Sequence, residues 1–244
     1  MTEQRYFDID NAQAPAHRHI NPNGIPGGWV ADTAHVDSTA WIGYYAMVWG
    51  NARVEGNARV EGCARVYGDA RVSGEALVTG EAKVSDNAHV SDRACVYAGA
   101  AVGGHARVFD NAQVGDYAHV GDNAQVGGRA RVLGKAKVYG FSKVDGHGRV
   151  SGAGQVRCTA HVTGSAVVAG NALVEGGIMY GRAKIAGSAI FDGWTMGGDA
   201  TASGRACIRG MAQVGGRASV GDNAVVEGSA IIMDGAIRGN TRRS

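Results

Sequence analysis

An all-β stack of short parallel strands, wound as a single coil, is the fold class that this sequence predicts, and three observations predict it. Stepping six residues at a time from Val30, through Val36, Ile42, Val48 and Val54, every stop as far as Val174 is Val or Ile. Two residues before each stop stands a small side chain, as in Ala52, Ala58, Ala64 and Ala70, with Ser142, Gly148 and Gly154 as variants. Between stops lie Gly-Asn, Gly-Asp, Gly-Glu or Asp-Asn, pairs rich in residues that tolerate left-handed backbone conformations.

The repeating unit is therefore small-x-aliphatic-x-turn-turn. In an extended segment alternate side chains face opposite ways, so Ala52 and Val54 point inward while Arg53 and Glu55 point outward. A helix is excluded: a period of six does not match 3.6, valine is β-branched, and a glycine in each repeat would cost about 1 kcal/mol. Strands this short bury their single inward valine only if successive coils stack, which is the logic of a parallel β-helix. Fully burying an aliphatic side chain contributes about 1.5–3 kcal/mol, so the stacked rungs need no cofactor, metal or disulfide for folding.

Composition bounds the remaining possibilities. Of 244 residues 40 are glycine and only 3 proline, without the every-third-residue glycine of collagen. The 24 Lys and Arg nearly balance 22 Asp and Glu, so net charge gives no reason to expect nucleic acid or a membrane surface as partner. No apolar run approaches the roughly 18 residues of a membrane span, and the polar start MTEQRYFDID lacks the order of a signal peptide, which points to a cytoplasmic protein. Cys63, Cys95, Cys158 and Cys207 are scattered, form no zinc-ligand spacing, and read as free thiols. There is no P-loop and no compact acidic metal site.

Taken in order, residues 1–28 break the period, hold Pro15, Pro22 and Pro26, and carry Tyr6, Phe7 and Ile20 as candidates to cover the first coil; they form an N-terminal cap. Residues 29–238 are the β-helix. Within 175–203 the phase slips twice, with five-residue steps from Val174 to Met179 and from Phe191 to Met196. Met179, Phe191 and Met196 replace valine inside these coils, while Tyr180 and Trp194 are the alternative, an exposed binding feature. Residues 239–244 form a basic, solvated tail with Arg242 and Arg243.

The segments VEGNAR, VGDNAQ and VGDYAH resemble the hexapeptide-repeat, left-handed parallel β-helix family, whose bacterial members include acyltransferases. The N-terminal stretch GGWV, AWI and AMVWGNARV is also similar to the YdcK-type group of hexapeptide-repeat proteins, which carries an acetyltransferase label without a defined substrate. The resemblance implies three hexapeptides to each triangular coil and a left-handed path. It thereby implies about 11 to 12 coils, with strands about 4.8 Å apart. It further implies a homotrimer, and, if the chain is an enzyme, acetyl-CoA as co-substrate in a site shared between subunits.

With three hexapeptides to a coil, positions three repeats apart stack and the outward residues fall on three faces. The first carries a basic ladder, Arg53, Arg71, Arg107 and Lys143, interleaved with His35, His89 and His161 and suited to an anionic ligand or to plain solvation. The second carries a broken apolar strip, Leu77, Tyr97, Leu133 and Val167, which marks a self-association seam. On the third, Gly103 and Gly121 would leave a shallow recess with His119 on its floor and Lys83 and Lys137 on either side. His119 is the candidate general base and the lysines candidates to meet the phosphates of CoA. It also occupies the variable slot of AxV, where Arg, Lys or Gln stand elsewhere. No long loop interrupts residues 30–174, whereas enzymes of the family commonly insert one. Two functions follow: a non-catalytic, self-associating scaffold or binding rod, or an acyl-CoA-dependent O- or N-acetyltransferase.

Overall fold

The computed structural model describes residues 5–9 and 12–244, with side chains from residue 15 onward. The chain is all-β, a parallel β-solenoid with three strands to a turn and about 12 turns in all. It divides into two compact units, residues 1–117 and 118–244.

In the first unit the chain begins with β1 (Arg5–Ile9), β2 (Ala12–Ile20) and β3 (Pro26–Ala31), each antiparallel to the next. The expected cover by Tyr6 and Phe7 lies outside the side chains described, and Ile20 is exposed rather than folded over the coil. The join to the solenoid is made by other residues. Trp29 and Val30 of β3 lie in parallel register with Met47 and Val48. The Asn21 amide, itself buried, donates to the carbonyl of Ile42 at 3.1 Å and accepts the Ile42 N–H at 2.8 Å, standing in for a neighbouring strand. Gly27 and Gly28 approach this corner so closely that a methyl at either would run into carbonyl oxygens, of Ile42 and of Ala46 respectively. The Arg18 guanidinium stacks over Trp29 at 4.5 Å and Tyr44 at 4.0 Å.

From His35 onward the first unit repeats two-residue strands and tight turns, in register at every third repeat: Arg53 faces Arg71, Leu77 faces Cys95, and Lys83 faces Ala101. The inward alanines and valines from Ala40 and Ile42 to Val114 are completely or almost completely buried. Corners explain the Gly/Asp alternation. Gly68 and Gly74 hold positive φ, as do Asp86 and Asp92 one turn later. The aspartates adopt this conformation because their carboxylates reach the next turn, where Asp86 accepts the Gly104 N–H at 2.8 Å and Asp92 the Asp110 N–H at 3.1 Å. Ala98, at φ 56, holds the same conformation without that compensation.

The second unit continues the pattern with its own variations. The small inward variants are buried, and the Ser142 hydroxyl is satisfied by the carbonyl of Tyr139 at 2.7 Å. Both expected five-residue steps are present, and Met179, Phe191 and Met196 are fully buried in place of valine. Across them the register shortens by one, with His161 facing Ile178 over the first step and Ile190 facing Cys207 over the second. The volume of Phe191 and Met196 is accompanied by Ala202 at the next rung, where an aliphatic residue would otherwise stand. A third short step, Ile232 to Ile237, follows at Met233-Asp234-Gly235. At the chain end Arg242–Arg243, both exposed, pair in parallel with Val225 and Val226, and Arg242 binds Glu227. That pairing uses backbone groups, so it needs no inward aliphatic residue.

Among the described residues no helix is long and apolar enough to cross a membrane.

Candidate functional site

Among the described residues the strands are joined by short turns, so candidate sites are stretches of outer face. The groove at one corner of the first unit, between Gly74, Asp92 and Asp110, is partly filled by the ion pair of Glu75 with Arg93 at 2.8 Å. Among the described residues no group of three His, Cys, Asp or Glu could hold a metal.

On the first face, Arg53 and Arg71 stand in register in the first unit, as do His89 and Arg107. Glu55 intervenes, pairing with Arg71 and lying 3.8 Å from Arg53, while Arg107 lies over the Phe109 ring. Burial, and then the adjacent Arg71 and Arg107, hold the His89 pKa below the ordinary histidine range; its Nε2 meets the Ser73 hydroxyl at 3.0 Å. In the second unit Lys143 faces His161, which pairs with Asp145 at 2.8 Å. Much of the basic ladder is thus internally compensated.

On the second face, Leu77 stacks on Cys95 in the first unit, and burial holds the Cys95 thiol above its usual pKa. The Tyr97 ring lies across Gly115, where any β-carbon would collide with it. In the second unit Leu133 and Val167 are half-buried, but Val167 is bracketed in register by Arg149 and Lys184. A seam there would desolvate two cations.

On the third face, the first unit holds Lys83, exposed, and Gly103, whose outer side is occupied by the Asp86 carboxylate and the Ser85 hydroxyl. The second unit holds His119 in register with Lys137, both exposed. Over Gly121 lies the ring of Tyr139, so that glycine makes a seat for an aromatic side chain rather than open space. Burial, and secondarily Asp122, raise the Tyr139 pKa.

Further along this face of the second unit stands a continuous apolar ladder that the sequence reading did not reach. Leu173 faces Ile190, Ile190 faces Cys207, and Cys207 faces Val225. Beside it run ion pairs, Arg157 with Glu175 at 2.6 Å and Arg209 with Glu227 at 2.6 Å, and Arg242 also binds Glu227. These two arginines hold the Glu227 pKa below the ordinary carboxylate range, the Arg242 hydrogen bond contributing most. Trp194 and Met211 are exposed at the neighbouring corner. Carrying the face map across the slips, with one residue fewer to the turn, would have found this ladder.

Residues 64–80 match the family model described as YdcK Beta solenoid repeat, in agreement with the hexapeptide-repeat solenoid and its turns of three hexapeptides. No curated protein matches the chain.

Proposed function

We propose that the protein is a non-catalytic, self-associating solenoid of the cytoplasm that serves as a scaffold or binding rod. The observation that carries this reading is the apolar ladder Leu173–Ile190–Cys207–Val225, an outward face in direct register flanked by ion pairs. Apolar surface with a charged rim is what a homomeric interface buries. It is a better seam in the second unit than Leu133 and Val167, which cations interrupt. In the first unit Leu77 and Tyr97 remain candidates. Sedimentation should show a salt-stable oligomer that Ile190→Glu dissociates, because each buried glutamate would lose its hydration without a partner. A strictly monomeric wild type would remove the seam.

A second reading, an acyl-CoA-dependent acetyltransferase, is favoured by the exposed His119 beside Lys137 and by the family resemblance. A histidine has the titration range of a general base, and lysine the charge for phosphate. Calorimetric titration with acetyl-CoA and CoA should then show heat that His119→Ala or Lys137→Ala reduces. No binding at millimolar acetyl-CoA would dismiss this reading and leave the scaffold reading intact.

A further inference from the structure

On the second face of the second unit, cations are gathered without carboxylate partners. In that unit Arg157, Arg182 and Arg209 each hold a carboxylate, Glu175, Asp199 and Glu227. By contrast, among the described residues no hydrogen bond or ion pair engages the side-chain cations of Lys135, Arg149, Lys184 or Arg205, all exposed. The nearest carboxylates by register are already engaged: Asp199 by Arg182 at 2.6 Å, and Asp222 by the Gly239 N–H at 3.0 Å.

These cations border a trough. Ser151, Ala169, Ala186 and Ser203 follow one another on successive turns, each donating its N–H to the next turn, and form a floor of small side chains. On one side run Arg149, Val167 and Lys184 in direct register. On the other, at the corner, run Lys135, Ala153, Asn171, Ser188 and Arg205 on successive turns. With strands about 4.8 Å apart, Lys135 and Arg205, four turns apart, mark out roughly 19 Å along the stack.

From this we infer that the trough binds a linear acidic polysaccharide laid along the solenoid axis, its carboxylates against Arg149, Lys184, Lys135 and Arg205. The inference rests on the binding-rod reading above. The ligand class follows from the lining. Charge on both rims selects a polyanion, and a floor that repeats one small side chain per turn along the stack selects an extended one. Ser151, Asn171, Ser188 and Ser203 offer the hydroxyl and amide groups that sugar hydroxyls require. A single-stranded nucleic acid would want aromatic platforms for its bases, and this face carries no Trp, Tyr or Phe from Arg129 to Arg205. An acidic peptide adding as a strand would need a free sheet edge, whereas here each strand is already paired on both sides.

The test is titration of the full chain with fluorescently labelled polygalacturonate at low and at high salt. Binding should be lost as salt rises, the Arg149→Ser/Lys184→Ser double variant should bind at least tenfold more weakly, and Arg65→Ser, an exposed cation of the first unit, should bind as wild type does. Unchanged thermal unfolding of the double variant shows that it is folded. The proposal is overturned if polygalacturonate does not bind, if the double variant binds equally, or if an oligonucleotide of matched charge binds more tightly. Sedimentation of the same samples separates the two readings: an intact oligomer without polysaccharide binding refutes this ligand and leaves the scaffold standing.

Discussion

Phe191→Ala is expected to lower the unfolding free energy by about 3–5 kcal/mol, the range for truncating a fully buried phenylalanine. Phe191 is completely buried and lies in register between Val174 and Ile208. Its ring also presses on the tight corner that follows, where a β-carbon on Gly193 would come within 2.9 Å of it. A five-residue corner leaves the backbone little freedom to collapse into the vacated volume, so the void persists and its lining loses contacts on several sides. Phe191→Leu should restore more than half of the loss. Hydrogen exchange across 174–208 is the suitable measurement, since a stack of repeats need not unfold in one step. A loss below about 1 kcal/mol would show that the corner relaxes and that the ring is not what holds it.

The same coils show why part of the molecule was legible in the sequence and part was not. Inward positions repeat because each must fit the same cross-section, so Val54, Val60 and Val66 announce themselves locally. The slips at Met179 and Met196 were visible for the same reason, since a large residue stands where the phase demands one. Outward positions carry no such constraint, and their neighbours lie a full coil away in sequence, one residue nearer wherever a slip intervenes, so the ladder from Leu173 to Val225 emerges only once register is known. Corner aspartates are similar. Asp86 reads in sequence as a turn former, but its bond to Gly104 depends on the next turn lying beside it. The pairing of Arg242 and Arg243 was hidden because backbone hydrogen bonds are indifferent to side-chain pattern. Tyr139 over Gly121 was hidden because the direction of a ring is set by packing, not by spacing.

Asn21→Leu should cost about 2–6 kcal/mol locally, for the leucine leaves both the N–H and the carbonyl of Ile42 without their partner. Each buried backbone group stranded in this way costs about 1–3 kcal/mol. Asn21 is 4% exposed, so water cannot easily take its place. The effect should stay at this end of the first unit, because a repeat contacts chiefly its neighbours and the later rungs keep their own hydrogen bonds. Exchange of the Ile42 amide should therefore accelerate, by roughly tenfold for each 1.4 kcal/mol, with the Val96 and Val114 amides little changed. Trp29 emission should change with it, since Trp29 sits on the adjoining strand beneath Arg18. Asn21→Asp separates the two bonds: the carboxylate still accepts from the Ile42 N–H but faces the Ile42 carbonyl with no donor, so its loss should be substantial as well. If Asn21→Leu left Ile42 exchange unchanged, the first turn would have to be held by the β3 pairing alone, and the asparagine would be a passenger in the corner rather than its missing strand.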